Sequence, residues 1–305
     1  MKPFAPSLIR AAAVCSFAFS VDALAAQGLR IGMSFQELNN PYCVAMKESL
    51  ESAAKSLGAT VIISDARHDV AKQVSDVEDI LQRGVDILLI NPTDSVGVES
   101  AVLAAKKAGV VTVAVDAQAQ GPVDSFVGSK NYDAGVQACD YLGKQLGGKG
   151  SVAILDGIPV VPILERVRGC EAALKKYPEI KIVDKQNGKQ ERDTAMSVTE
   201  NMLQAHPDLT GLFSVNDSGG LGALTAIEAS GMDVKMVSVD GYPEAVQAIS
   251  KPNSKFIGTS AQYPRDQIRL ALGVALAKHW GSKVPAEVPV DVTLIDRDSA
   301  AKFSW

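Results

Sequence analysis

Two α/β lobes, each built on a doubly wound parallel sheet, are what this sequence predicts, and three observations predict them. From residue 29 onward, short runs rich in Val, Ile and Leu alternate with longer stretches of helical spacing. The runs are continuous rather than polar–apolar alternating, as parallel strands read when helices cover both faces of their sheet. The rhythm then repeats over a similar length, and 305 residues are about two domains at ~150 residues each.

In order, residues 29–35 form the first strand. Asn39-Asn40-Pro41 then cap and start a helix, with Pro at the first helical position. Met46, Leu50, Ala53 and Leu57 keep helical spacing until Gly58. Strand 60–64 precedes a helix marked by Val70, Val74, Val77 and Leu81 and ended at Gly84. Strand 86–90, helix 95–108 and strand 110–115 complete the first half. In the second half, helices 132–146, 163–176, 193–205 and 218–230 precede strands 151–155, 180–184, 210–215 and 234–239 respectively. A short helix near 243–250 leads to strand 255–260, and helix 264–280 leads to a last strand near 288–294.

Residues 1–25 are set apart. Lys2 and Arg10 form a basic start, residues 11–21 an apolar run too short to span a membrane, and Ala23-Leu24-Ala25 an A-x-A cleavage pattern. Such a signal peptide implies export, and in a bacterium the periplasm. The net charge is −5, and it becomes −6 after cleavage because that segment carries two bases and one acid. A surface of that sign does not favour nucleic acid. Val14 stands before Cys15 where a lipoprotein needs a small residue. Cys43, Cys139 and Cys170 remain. Their odd number leaves at least one thiol free or pairing between chains, and no disulfide is predicted.

Ligands of open parallel sheets bind beyond the carboxyl ends of the strands. The residues there are Gln36, Asn39, Asn40, Asn91, Asp116, Asp156, Asn216, Asp217, Asp240 and Gln262, with Arg166 and Arg168 on the helix after strand 151–155. Each has a structural alternative. Asn39 or Asn40 caps a helix, Asn91-Pro92 reads better as a turn, and Asp217 reads better as a cap for the helix at 218. Arg166 reads better as an exposed partner of neighbouring acids, and Arg168 has the same option with Glu165 or Glu171. No nucleophile is paired with a histidine, no cofactor loop is present, and no cluster has metal-ligand spacing, so no cofactor is expected. Gly143–Gly150 nearly fits a phosphate-binding loop. However, Gly150 stands where Ser or Thr is required, and the segment follows a helix rather than a strand.

Seven segments together carry a family resemblance: LNNPY (38–42), ILLINPTDS (87–95), VAVDAQA (113–119), ERVRG (165–169), QAHPDLTGLFSVND (204–217), SVDGYPE (238–244) and SAQYPRDQ (260–267). From about Leu29 to Ile295 the chain resembles the periplasmic sugar-binding proteins of the ribose-binding type. The resemblance implies a type I periplasmic binding fold with three crossings near 130, 262 and 291. One lobe would hold 28–130 plus 263–291, the other 131–262 plus 292–305. It implies sugar contacts at Gln36, Asn40, Tyr42, Asp116, Arg168, Gln190, Asn216, Asp240 and Gln262. It also implies a membrane permease of an ABC importer as partner, with the chain itself a monomer. The family pattern has Arg at position 117, where this chain has Ala117, and aromatic residues where it has Cys43, Gln190 and Val239. The expected ligand is therefore a neutral monosaccharide or sugar alcohol rather than ribose in particular. A sensory role, presenting ligand to a chemoreceptor or sensor kinase, is the alternative, followed by a sugar-acting α/β enzyme. A transcription-factor effector domain does not fit, since an export signal precedes residue 29.

Overall fold

The computed structural model describes residues 28–305, so the predicted signal peptide at 1–25 lies outside the described residues. The first half runs β1 (Arg30–Phe35), α1 (Pro41–Leu57), β2 (Thr60–Asp65), α2 (Val70–Gln82), β3 (Ile87–Ile90), α3 (Glu99–Lys107), β4 (Val111–Val115) and β5 (Ser125–Ser129). The second runs α4 (Asn131–Gln145), β6 (Lys149–Asp156), α5 (Val161–Leu174), β7 (Glu179–Asn187), α6 (Arg192–Ala205), β8 (Leu209–Ser214), α7 (Asp217–Ser230), β9 (Lys235–Asp240), α8 (Pro243–Ser250) and β10 (Phe256–Ala261). It closes with α9 (Pro264–His279), β11 (Glu287–Val290), β12 (Thr293–Asp296) and α10 (Arg297–Ala300).

Local chemistry sets these boundaries. The Asn40 side chain accepts from Tyr42 N at the start of α1, Pro41 occupies the first helical position, and Gly58 ends the helix at φ 65°. Helices α8 and α9 likewise begin on a proline, which suits a position whose N–H needs no partner. The buried strands β1, β3 and β4 present side chains such as Ile31, Met33, Leu88, Leu89 and Val113 to helices on both faces.

Two six-stranded sheets result, ordered β11-β5-β4-β3-β1-β2 and β12-β10-β9-β8-β6-β7. Every pairing is parallel except β10 with β12, which is antiparallel. Two details depart from the sequence reading. Strand β5 was not foreseen, because Ser125, Gly128 and Ser129 are buried small residues that make no apolar run. The single strand expected near 288–294 is two strands in different sheets, since the chain crosses between them at Asp291-Val292. The crossings are tied sideways. Lys130 Nζ meets Asp291 Oδ1 at 2.6 Å, and Tyr263 OH donates to Thr293 Oγ1 at 2.9 Å. One apolar cluster runs from Ile31 and Leu89 through Tyr42 to Met236 and Tyr242, so the two lobes are packed together.

The expectation of no disulfide is corrected: Cys139 on α4 and Cys170 on α5 are bonded, with Cα atoms 4.9 Å apart, and Cys43 is free and buried. These helices pack backbone against backbone. A Cβ on Gly135 would lie 2.0 Å from Arg166 O, and one on Gly169 would lie 2.1 Å from Tyr132 O. The odd count hid the bond because the partners sit on separate helices, 31 residues apart. Closing a loop of that length restricts the unfolded chain by about 3–4 kcal/mol. The Cys139→Ser, Cys170→Ser double variant is expected to lose about that much stability, measured by urea unfolding beside the oxidised parent.

Candidate functional site

The carboxyl ends of both sheets face each other, and the buried polar residues collect there. On one side Asp116 follows β4 at φ 68°, and on the other Asp240 ends β9 at φ 133°. Both are buried, and such conformations cost a non-glycine residue free energy that surrounding contacts must offset. Gln190, at φ 63°, is the third predicted site residue in this region of backbone space.

Arg166 organises the α5 side and is 4 % exposed. Its Nε donates to Asn131 Oδ1 at 2.8 Å, and its Nη1 donates to Val215 O at 2.8 Å and to Asp240 Oδ1 at 3.1 Å. Gln262 Nε2 donates to the same Asp240 oxygen at 2.7 Å, leaving its buried Oε1 without a partner. Behind this pair, Asp217 is fully buried and accepts from Ser238 Oγ, from Thr259 Oγ1 at 2.8 Å and from Tyr242 N at 2.6 Å. Burial, then the neighbouring Asp240 charge, pushes the Asp217 carboxyl up to about 7. Burial raises Asp240 to about 6, opposed by Arg166 and Gln262.

Across the cleft, Asn91 Nδ2 donates to Asp116 Oδ2 at 3.0 Å, while Asn91 Oδ1 accepts from Gln36 N at 3.3 Å. Burial raises Asp116, and the Arg166 charge from the opposite lobe is the largest opposing cause. The Tyr42 hydroxyl stands beside Asp116 but lacks a hydrogen bond of good geometry. Burial and the charges of Asp116 and Asp240 hold it well above its ordinary pKa, so it remains a donor. Asn40 joins the lobes: its Oδ1 accepts from Tyr242 OH, and its Nδ2 donates to Glu37 Oε1 at 2.9 Å. Glu37 in turn meets His68 Nε2 at 2.9 Å.

Among the predicted residues, Tyr42, Asp116, Asp240 and Gln262 converge through these charges and hydrogen bonds. Gln36 packs beside Asn91. Asn216 is buried but caps α7 by accepting from Gly219 N at 3.1 Å, and it donates to Gln190 O at 3.2 Å. That corrects the reading of Asp217 as the cap. Arg168 is corrected as well. It is 66 % exposed, pairs with Glu165 and lies over the Tyr132 ring at 4.8 Å. The arginine of the cleft is Arg166, two residues earlier, which had been read as exposed. Asn91 is likewise a buried bridge as well as a strand-end residue. The sequence reading also missed Asn131, Tyr242 and Trp305. Among the described residues no group of His, Cys, Asp and Glu could hold a metal ion.

The arrangement offers carboxylate acceptors, a guanidinium, a phenol donor and an unpartnered amide oxygen, and it offers no activated nucleophile. A hydroxyl both donates and accepts, so this mixture matches a polyol.

Comparison with known proteins agrees. Residues 31–281 match the family described as "Periplasmic binding protein domain". The ribose import binding protein RbsB of Bacillus subtilis (strain 168) is 39 % identical over 265 residues, 87 % of this chain and 86 % of that protein. An ABC transporter periplasmic solute binding protein from Actinobacillus succinogenes 130z, solved with bound D-allose, superposes with a TM-score of 0.84. It is 30 % identical, with 90 % of this chain and 100 % of that one covered. The Caulobacter myo-inositol binding protein bound to myo-inositol gives a TM-score of 0.85 at 30 % identity, covering 92 % and 97 %.

Two outcomes are expected. Arg166→Ala strands the buried Asp240 carboxylate, so it should cost about 3–5 kcal/mol, whereas Arg168→Ala should cost less than about 1 kcal/mol. Denaturant melts of the two variants check this. The second concerns pH. The folded pKa values of Asp217 and Asp240 lie above the ordinary carboxylate value, so the folded state binds more protons than the unfolded chain. Their contribution to stability is therefore present at pH 4 and lost as pH rises through 6 to 7. His68, raised chiefly by its hydrogen bond to Glu37, acts in the same direction, so the test is a comparison with Asp217→Asn. That variant should lose less melting temperature between pH 5 and 7.5 than the parent does.

Proposed function

Because this chain belongs to the periplasmic binding protein family, in its ribose-binding branch, we propose that the cleft between Asp116 and Asp240 captures a neutral monosaccharide or sugar alcohol. The protein is a periplasmic solute-binding component of an ABC importer and hands its ligand to a membrane permease. One observation carries the choice of ligand class: Asp116 comes from one lobe, the Arg166–Asp240 pair from the other, and carboxylates outnumber the guanidinium. An anionic ligand would meet that excess of negative charge, whereas a hydroxyl can accept from Arg166 or Tyr42 and donate to Asp116, Asp240 or Gln262 Oε1.

The mechanism is binding with domain closure, and no bond chemistry is assigned to the site. Neither lobe alone surrounds a small molecule, so capture requires the lobes to come together about the three crossings. The Asn40–Tyr242 hydrogen bond joins the lobes and favours the closed state. Both halves of the site come from one chain, which supports action as a monomer. The disulfide suits an oxidising compartment and so supports export. Cleavage of the leader near Ala25 is proposed from the basic start, the apolar run and Ala23-Leu24-Ala25.

A thermal-shift panel of ribose, allose, xylitol and myo-inositol tests the reading, because a tight ligand raises the melting temperature by mass action. Calorimetry with the best member then assigns the site. Hydrogen bonds to charged groups are worth roughly 1.5–3 kcal/mol each, and truncation also strands buried partners. Asp240→Ala should therefore weaken binding by about tenfold to a few hundredfold. Asp208→Ala, at an exposed turn, should stay within twofold. Affinity of the folded Asp240→Ala protein equal to the parent's would reduce Asp240 to a turn residue.

A further inference from the structure

Three aromatic rings meet at the flank of the cleft, and one of them comes from a segment that belongs to neither lobe's strand–helix rhythm. After α10 the chain runs back over the end of β9. Phe303 packs edge-on against Tyr263, with centroids 6.2 Å apart, and crowds Gly241, where a Cβ would come within 3.1 Å of it. Two residues later the Trp305 Nε1 donates to Asp240 O at 3.3 Å. The indole meets Tyr242 edge-to-face at 5.4 Å between centroids and Tyr42 at 6.0 Å, with interplanar angles of 77° and 84°.

These contacts divide by lobe. Asp240 ends β9 and Tyr242 lies in the turn before α8, both in the lobe that carries Trp305, so those two contacts hold the indole in place whatever the lobes do. Tyr42, in the first turn of α1, belongs to the opposite lobe. Tyr42 is also the ring whose hydroxyl stands beside Asp116. The positions where the sequence lacks an expected aromatic, Cys43, Gln190 and Val239, therefore do not leave the site without ring surface. Tyr242 and Trp305 bring it from elsewhere.

We infer that Trp305 is a positioning residue of the sugar site: with Tyr42 and Tyr242 it forms an aromatic clamp whose Trp305–Tyr42 contact is made only when the lobes close. The inference rests on the sugar-binding reading above. A contact present only in the closed state adds to ligand affinity, because the ligand selects that state. An edge-to-face pair changes an equilibrium by about two- to tenfold. The clamp also fixes the Tyr42 ring as a flat surface for the C–H face of a sugar.

The chain has two tryptophans, and Trp280 is 71 % exposed. Trp280→Phe therefore leaves Trp305 as the sole indole reporter. That protein is titrated with ribose, allose, xylitol and myo-inositol, with melting temperature and indole emission followed together. The member that raises the melting temperature is expected to change Trp305 emission. Calorimetry should then give two- to tenfold weaker binding for Trp305→Ala, with Trp305→Phe in between. A sugar that raises the melting temperature with unchanged emission, and binds Trp305→Ala and Trp305→Phe as tightly as the parent, overturns the clamp and leaves sugar binding intact. No rise with any of the four sugars withdraws the sugar-binding reading, and the clamp with it.

Discussion

Burying the Arg166 guanidinium in the gap between two sheets would cost several kcal/mol if it stood alone, and the surrounding structure is arranged so that it does not. Asn131, at the start of α4, accepts from Nε, and the Val215 carbonyl beyond β8 and Asp240 at the end of β9 accept from Nη1. One side chain thus ties the ends of α4, β8 and β9 to α5. Its position is fixed from behind by the glycine contacts and the disulfide between α4 and α5, which hold the two helices too close to slide. Its charge reaches across the cleft to Asp116, the largest influence opposing that carboxyl's desolvation. A buried cation is therefore the common counter-charge for acids from both lobes.

The same geometry explains the positions of the strained residues. Asp116 and Asp240 leave their strands with positive φ, which turns each carboxylate out of the sheet and into the gap. The chain tolerates this because Asn91 holds one carboxylate while Arg166 and Gln262 hold the other. Asp217, beneath Asp240, adds a second buried acid with three donors of its own. It connects the β9–α8 turn to the start of α7, since its partners are Ser238, Thr259 and the Tyr242 amide.

Much of this was legible in the sequence, and the exceptions have physical reasons. Continuous apolar strands and proline-started helices placed nearly every element, because both sheets are covered on two faces and the pattern is strong. Strand β5 escaped because its buried residues are small and polar. Arg168 and Arg166 were exchanged although the signal to separate them was present. Ile163, Val167, Cys170 and Leu174 form the buried stripe of α5, and position 166 lies on that stripe while 168 lies on the opposite face. Helical phase was a better guide there than position within the ERVRG segment. No comparable signal existed for the disulfide or for Trp305, whose partners are set by tertiary packing between segments remote in sequence.

The relocation of ring surface in the cleft follows from volume as well as chemistry. Cys43, fully buried and neutral because burial raises its thiol, occupies a small volume in the same apolar cluster as Tyr242. A larger residue at 43 would compete with Tyr242 for that space. With cysteine there, Tyr242 reaches from the opposite lobe far enough for its hydroxyl to donate to Asn40. Asn40 is then largely committed: its Oδ1 serves the α1 amide of Tyr42 and the Tyr242 hydroxyl, and its Nδ2 serves Glu37. Its hydrogen bonds join the lobes, and in the proposed reading recognition of hydroxyls falls to Tyr42, Asp116, Arg166, Asp240 and Gln262. One small side chain on α1 thereby leaves room for the Tyr242 ring beside Asn40, while the charged centre of the site stays at the strand ends.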